Sequence, residues 1–206
     1  MIYEVRTYTL KPGSVPTFEE NFARALPHRL QYSPLAAFWH TEIGPLNQVI
    51  HVWPYESLDE RTRIRAEAAQ DPNWPPANDP DMYVKMESEI FIPAPFMRPL
   101  GDDQELGNVY EMRSYTYRNG SMGEVLKRWE AAVSHREEFS PLAAAWHTEL
   151  GGLNKWVHIW PYKDLDERNR IREEAVKSPH WPPPTREFLL GQETKIMVPA
   201  AFSPTH

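Results

Sequence analysis

One stretch of sequence occurs twice in this chain, and the repeat limits the available folds more than any other feature. The segment Ser33–Gly44 (SPLAAFWHTEIG) returns as Ser140–Gly151 (SPLAAAWHTELG), and ten of the twelve positions are identical. The offset is 107 residues, as between Tyr3 and Tyr110. Solenoid repeats have periods of roughly 20 to 50 residues. The longer period indicates a duplicated domain.

The duplication predicts two domains, at 1–97 and 108–206, joined by a linker at 98–107. Each unit has about 100 residues, which is the usual size of a small domain with its own core. The linker sequence (RPLGDDQELG) contains proline, glycine and acidic residues but little apolar material, which is typical of a connecting segment.

Composition and charge restrict the kinds of partner. Apolar residues make up 41% of the chain and charged residues 25%, as in globular proteins. The net charge of -7 argues against nucleic acid as a partner, because phosphates are bound by basic surfaces. The chain has no cysteine and no apolar run of the roughly 18 residues that a membrane helix needs. Its first residues alternate as in a strand, unlike a signal peptide, and we expect a soluble cytoplasmic protein without membrane insertion.

The hydrophobic pattern of each half predicts the order strand, helix, strand, strand, helix, strand. Residues 2–10 alternate, and Phe18 and Phe22 lie on the apolar stripe of a helix over 14–32. A hairpin at 35–53, a capping box at 57–60 and a closing strand at 84–92 follow. We predict an α+β fold in which two ferredoxin-like βαββαβ repeats form an intrachain dimeric α/β barrel with the helices outside. The alternative is that each half pairs with a half from another chain, as a homo-oligomer.

An ordered set of short motifs also carries a family resemblance. The motifs are Glu4-x-Arg6-x-Tyr8, Trp39-x-Thr41-Glu42-x-Gly44-x-Leu46-Asn47, His51-x-Trp53-x-Tyr55, Arg61-x-x-x-Arg65 and Asp71-Pro72-x-Trp74, and the second half matches the same pattern. Together they resemble the NIPSNAP domain, present here in tandem over nearly the whole chain. The resemblance implies the dimeric α/β-barrel fold and names no reaction.

Alternation along the strands assigns side chains to faces. His51 and Trp53 share one face of their strand, and Ile50 and Val52 share the other. We expect the aliphatic face to meet the helices and the histidine face to line the interior of the barrel.

The candidate site follows from that placement. His51 and Arg6, with the copies His158 and Arg113, are the catalytic candidates, because histidine exchanges a proton near neutral pH and arginine holds an anion. The predicted ligand-binding residues of the two halves are Tyr8, Trp39, His40, Glu42, Trp53, Tyr115, Trp146, His147, Glu149 and Trp160.

Some of these groups also have a purely structural interpretation. Glu4, Arg6 and Glu42 would then form an ion-pair network without catalysis. Arg61 and Arg65 lie one turn apart on the second helix and are expected to pair with acidic side chains. Arg29 lies late on the first helix, where a cation favours the helix C-terminus.

Two functions of different class remain open at this point. The first is binding, with or without transformation, of a small apolar or aromatic metabolite inside the barrel. The second is a non-catalytic scaffold that binds protein partners through the outer helices and the Trp-Pro loops at 74–76 and 181–183.

Missing motifs narrow the chemistry. The sequence has no phosphate-binding glycine loop, no G-x-S-x-G elbow, no H-E-x-x-H and no His-x-x-x-His spacing. We therefore expect neither a metal site nor a cofactor. An enzyme on this barrel fold would be a cofactor-free or haem-using oxygenase or isomerase only by analogy with other proteins of the fold.

Overall fold

Each half of the chain folds as a βαββαβ unit. The structure is a computed structural model that describes residues 1–101 and 104–205, so Asp102 and Asp103 of the predicted linker and His206 lie outside the described residues. The first half contains β1 (Ile2–Leu10), α1 (Val15–Arg29), β2 (Ala37–Ile43), β3 (Gln48–Tyr55), α2 (Leu58–Ala68) and β4 (Tyr83–Pro93). The second half contains β5 (Val109–Tyr117), α3 (Met122–Glu137), β6 (Ala144–Leu150), β7 (Lys155–Tyr162), α4 (Leu165–Ala175) and β8 (Leu189–Pro199).

Local capping explains where the second helix of each half begins. Ser57 Oγ accepts a hydrogen bond from the Glu60 amide at 3.1 Å, and Asp164 Oδ1 accepts one from the Glu167 amide at 2.8 Å. These bonds satisfy amide groups that have no partner within the first turn of a helix. The predicted capping box therefore places α2 and α4 at equivalent positions.

The eight strands form one closed antiparallel barrel. Their order around it is β1-β3-β2-β8-β5-β7-β6-β4. β2 pairs with β8, and β4 pairs with β6, so the last strand of each half completes the sheet of the other half. Moving four places along the order carries every strand onto its counterpart, as twofold pseudosymmetry requires. The prediction of two ferredoxin-like repeats in an α/β barrel is confirmed.

The inner face of the barrel forms a core shared by both halves. Trp39 packs against Tyr110, with ring centroids 5.4 Å apart, and Tyr3 packs against Trp146 at 5.3 Å. Ile50, Val52 and their counterparts belong to the same buried cluster, which includes no helical residue. Burial of this face therefore depends on contact between the two halves.

The outer face of the sheet packs against the helices. In the first half, Phe18, Phe22 and Leu26 of α1 cover a surface that includes Trp53 and Phe38. In the second half, Val125, Trp129 and Val133 of α3 cover the corresponding surface. No helix in the described part of the chain is long and apolar enough to cross a membrane.

The predicted orientation of β3 was wrong. His51 lies under α1, 5.3 Å from the ring of Phe22, whereas Ile50 and Val52 face the barrel interior. The same inversion holds for His158, which contacts Trp129 of α3 at 4.5 Å. Both faces of β3 are buried and apolar, so alternation alone does not distinguish the side toward the helices from the side toward the barrel.

Neither half should be stable as a monomer. Residues 1–97 alone would expose the inner face around Trp39 and the unpaired edges of β2 and β4, and such surfaces drive association. Sedimentation velocity should show self-association or aggregation of this fragment. The matched control is an equimolar mixture with residues 108–206, which should form a one-to-one complex. A stable monomer of either fragment would contradict the shared core.

Candidate functional site

A buried carboxylate lies at the centre of the outer face of each half. Glu4 of β1 is 0% exposed. Its Oε1 accepts hydrogen bonds from Arg6 at 2.7 Å and from Arg61 at 2.6 Å, and its Oε2 lies 3.5 Å from Arg65. Arg6 projects from the same face of β1, and Arg61 and Arg65 lie one turn apart on α2. The carboxylate therefore binds α2 to the sheet.

The second half repeats this cluster. Glu111, also 0% exposed, accepts hydrogen bonds from Arg113 at 2.9 Å and from Arg168 at 2.7 Å. Arg172 completes the set at 3.3 Å. The predicted pairing of the two helical arginines with an acidic side chain is confirmed in both halves.

The arginines keep these carboxylates ionised. Burial by itself raises the pKa of Glu4, but the hydrogen bond from Arg61 and the charge of Arg65 outweigh it and lower the pKa from 4.5 to about 2. The pKa of Glu111 is lowered in the same way by Arg168, Arg172 and Arg113 against the opposing effect of burial.

A fourth arginine in each half lacks a carboxylate partner. Arg29, in the last turn of α1, is 2% exposed and donates to Ser33 Oγ at 2.8 Å and to the Tyr55 hydroxyl at 3.0 Å. Its guanidinium carbon lies 4.3 Å from the ring centroid of Trp53. Within 1–101 and 104–205, it forms no ion pair with a carboxylate. Burial lowers its pKa, yet a guanidinium stays protonated in proteins.

Arg136 reproduces this environment in the second half. It donates to Ser140 Oγ at 2.8 Å and to the Tyr162 hydroxyl at 3.0 Å, and it lies 4.3 Å from the ring centroid of Trp160. The charges of Glu4 and Glu111 act on Arg29 and Arg136 without a direct ion pair. A buried charge without a directly bound counter-ion is costly to maintain. Both halves contain such an arginine, which indicates a position where a bound anion would stabilise the buried charge.

The imidazole of His51 has a defined tautomer. Trp53 Nε1, which is always a donor, donates to His51 Nδ1 at 2.7 Å. The remaining proton is therefore on Nε2, which is buried and has no hydrogen-bond partner among the described residues. Burial and the charge of Arg6 hold the pKa of His51 well below its usual 6.5. At neutral pH the side chain is a neutral donor rather than a base.

His158 has the same arrangement. Trp160 Nε1 donates to its Nδ1 at 2.7 Å, and its Nε2 is likewise buried without a partner in the described part of the chain. Its pKa is lowered by burial and by the charge of Arg113. The pocket histidine of each half thus carries an Nε2–H group without a hydrogen-bond partner among the described residues.

These groups line a pocket between the sheet and the helices of each half. The first pocket has a volume of about 360 Å³ and includes Arg6, Arg29, Arg65, His51, Tyr8, Phe22, Trp53 and Trp74. The second has a volume of about 200 Å³ and includes Arg113, Arg136, Arg172, His158, Tyr115, Trp129, Trp160 and Trp181. Both combine guanidinium groups with aromatic walls.

The Trp-Pro loops form one wall of each pocket. Trp74 lies 5.5 Å from the ring of Phe22 and 6.2 Å from Trp53. Trp181 lies 5.2 Å from Trp129 and 5.9 Å from Trp160. The indole rings of both loops therefore pack against the aromatic side chains of their own pockets.

A further cavity of about 480 Å³ lies at one end of the barrel interior. Lys155 forms an ion pair there with Glu89 at 2.7 Å, and Lys195 donates to Gln48 Oε1 at 2.8 Å. Three lysines and three glutamates line it, so their charges balance. Of the residues predicted for the site, Trp146 alone belongs to this lining.

The structure divides the predicted site residues among three places. Arg6, Tyr8, His51, Trp53 and their copies Arg113, Tyr115, His158 and Trp160 meet in the outer pockets. Trp39 and Trp146 lie in the barrel core, and Glu42 and Glu149 are exposed. His40 and His147 are half-buried outside the pockets, and a hydrogen bond to Glu19 at 2.8 Å raises the pKa of His40.

Sequence reasoning missed Arg29 and Arg136 as pocket residues. Arg29 lies at the end of α1, as expected, and it also continues the buried stripe of Phe18, Phe22 and Leu26. An arginine at helical spacing on an apolar stripe was the available signal.

The donor set does not suit a metal or a haem iron. No group of three His, Cys, Asp or Glu side chains gathers as a metal site within the described ranges. His51 Nε2 would have to lose its only proton to ligate iron, because Nδ1 is already the acceptor for Trp53. An uncharged hydrogen-bond acceptor or an anion fits this nitrogen better.

The fold and these paired pockets define a tandem α/β-barrel protein, and comparison with known sequences gives its family. The NIPSNAP family model matches residues 3–98 and 110–204. Human NipSnap homolog 3A is 30% identical over 215 residues, covering 99% of this chain and 85% of its own. The NipSnap homolog of Dictyostelium discoideum is 30% identical over 210 residues, covering 96% and 87%. The chain belongs to the NIPSNAP family.

Solved structures support the fold at low sequence identity. A putative monooxygenase from Fusobacterium nucleatum superposes with a TM-score of 0.66 at 12% identity, covering 96% of this chain and 91% of that one. An anthrone oxidase-like protein gives a TM-score of 0.61 at 9% identity, covering 98% and 93%. These similarities establish the α/β-barrel fold alone.

Replacing Glu4 should destabilise the protein in a pH-dependent way. Its folded pKa of about 2 lies below the ordinary 4.5, so its contribution of about 3 kcal/mol is present above pH 4.5 and is lost as the pH falls toward 2. Urea unfolding of Glu4→Gln should show this loss at pH 7 and a much smaller one near pH 2. Glu67→Gln, which removes an exposed ion pair with Arg63, should change the free energy of unfolding by less than about 1 kcal/mol. Equal effects of the two variants would contradict the role of Glu4.

The two histidine environments should separate in a nitrogen NMR titration. Because the pKa of His51 is lowered by burial and that of His40 is raised by Glu19, His40 should become protonated while His51 is still neutral as the pH is lowered. In ¹⁵N spectra, His51 should show a protonated Nε2 and an unprotonated Nδ1. Trp53→Phe should remove this tautomer preference. A protonated Nδ1 in the wild-type protein would exclude the Trp53 bond.

Proposed function

We propose that each half of this chain binds a small organic anion with an aromatic or apolar body in the pocket between its sheet and its helices. The carrying observation is the buried arginine without a carboxylate partner, Arg29 or Arg136, at the same place in both halves. The proposed location is the outer pocket, because most of the predicted site residues meet there.

The charge of each pocket supports an anionic ligand. Around the first pocket, Arg6, Arg61 and Arg65 share the carboxylate of Glu4. Arg29 adds a fourth positive charge and makes no direct ion pair with the described residues. The whole chain has a net charge of -7, so this local excess of positive charge runs against the general composition. Arg29 is buried, and a charge removed from water acts more strongly than one at a surface.

The head of the ligand would meet two kinds of donor. The guanidinium of Arg29 would gain a directly bound counter-ion, through a charge-assisted hydrogen bond. The Nε2–H of His51, which is buried and unused, would donate to an oxygen of the same group. A carboxylate or a phenolate fits this pair of donors.

The body of the ligand would lie among rings. Phe22, Trp53 and Trp74 form adjacent walls of the first pocket. Aromatic walls with a few fixed polar groups are typical of small-molecule sites, and about 360 Å³ is within the usual range of their volumes.

The chemistry that the pocket favours is electrostatic. Arginine and the Nε2–H group would stabilise an oxyanion, either of the ligand itself or of a transition state. His51 is a poor general base here, since Nδ1 already accepts from Trp53 and Nε2 carries the proton. Binding is therefore the primary proposal, and any transformation would proceed through a stabilised anion.

A scaffold role has less support. A partner that bound the Trp-Pro loops would need Trp74 or Trp181, and both rings pack against their own pockets. The outer helices remain available to a partner. Cytoplasmic location and homo-oligomer formation stay predictions.

Calorimetry with matched probes tests the proposal. We expect 2-naphthoate to bind and its neutral amide, 2-naphthamide, to bind at least about tenfold more weakly, because a buried charge-assisted hydrogen bond contributes about 1.5 to 3 kcal/mol. The double variant Arg29→Gln, Arg136→Gln should lose the preference for the anion.

The control is Arg63→Gln, which removes an exposed guanidinium of α2 outside the pocket. It should bind 2-naphthoate like the wild-type protein. Equal affinities for the acid and the amide, or an unchanged preference in the double variant, would reject an anion site at these arginines.

A further inference from the structure

We infer that the two pockets of this chain select anions of different size, and that the side chain at position 22 in the first half and at position 129 in the second sets the limit. The inference rests on the proposed function and adds ligand size to it. Its basis is that both pockets contain the same polar frame of arginine, tryptophan and histidine but have different apolar walls.

The contacts among arginine, tryptophan and histidine are the same in the two pockets. The arginine lies over the neighbouring indole at 4.3 Å in both halves. The indole donates to the histidine at 2.7 Å in both halves. The same charged head group therefore fits either pocket.

The space beside this frame differs. The first pocket of about 360 Å³ extends past Phe22 to Phe18, Tyr83 and Met86. The corresponding residues Val125, Leu189 and Gln192 are outside the lining of the second pocket, whose volume is about 200 Å³. The second pocket extends instead toward α4, at Ala175 and Val176.

Trp129 accounts for the difference. It replaces Phe22 with a larger ring system whose centroid lies 4.5 Å from the His158 ring, compared with 5.3 Å between Phe22 and His51. The indole thus stands closer to the polar frame and takes up space that is open in the first half.

The surrounding residues keep the indole there. Phe22 packs against Phe38 at 4.7 Å, whereas Trp129 packs against Trp156 at 5.2 Å. Ala145 replaces Phe38, and Trp156 replaces Val49. The side-chain volume lost at Ala145 is therefore regained at Trp156. Trp129 is as fully buried as Phe22.

The ligand classes follow from these walls. The first pocket suits an anion with a fused two-ring body, and the second suits an anion with a single ring or a short branched chain. One chain would then hold two different carboxylates at once, with the larger one under α1 and the smaller one under α3.

Native mass spectrometry and calorimetry with benzoate and 2-naphthoate test this assignment. The wild-type protein should bind two benzoates but one 2-naphthoate per chain. Trp129→Phe should raise the 2-naphthoate count to two, and Phe22→Trp should lower it to none while two benzoates still bind. Each lost site should weaken by at least tenfold, since steric exclusion from a packed pocket is costly.

Full exchange of the walls guards against loss of folding. Two triple variants carry each wall into the other half together with its neighbours. They are Phe22→Trp/Phe38→Ala/Val49→Trp and Trp129→Phe/Ala145→Phe/Trp156→Val. Circular dichroism would check that both variants fold. These variants should give the same changes in count as the single substitutions.

The outcomes separate the two proposals. Binding of 2-naphthoate with the same stoichiometry in the wild-type protein and in all folded variants would overturn the size assignment and leave the anion proposal standing. Failure of both benzoate and 2-naphthoate to bind the wild-type protein would reject the anion proposal, and the size assignment with it.

Discussion

The buried ion cluster of each half is the interaction on which the rest of this structure depends. Glu4 and Glu111 are fully buried on the first strand of their halves, and each is tolerated only because arginines of the same strand and of the second helix surround it. The cluster holds the helix against the sheet. Because the arginines outnumber the carboxylate, it also leaves positive charge beside the pocket.

The candidate site lies beside this excess of positive charge. The arginine at the end of the first helix adds a further buried charge, and the Trp–His pair adds a directed N–H group. Aromatic rings from the sheet, the helix and the Trp-Pro loop exclude water around them, which strengthens the attraction for an anion. Side chains that stabilise the fold therefore also belong to the proposed ligand site.

Much of the fold was predictable, because its signals are local or repeated. The duplicated sequence, the order of elements and the capping at Ser57 depend on short-range rules. Alternation also grouped Arg6 with His51 correctly, and these residues are direct neighbours in the register of β1 and β3. The placement of that group inside the barrel was wrong, and Arg29 was missed because its stripe was interpreted only as the end of a helix.

The sequence by itself determined that the chain has two βαββαβ halves and which side chains share a face of each strand, since both follow from repetition and from the period of the backbone. Only the tertiary structure decided which face meets the helices and which closes the barrel. Both faces are apolar, and the choice depends on how rings and aliphatic side chains fill two spaces of different shape. The tertiary structure also decided that Arg29 makes no direct ion pair with the described residues and that the two pockets differ in volume, because both depend on contacts between residues far apart in the chain.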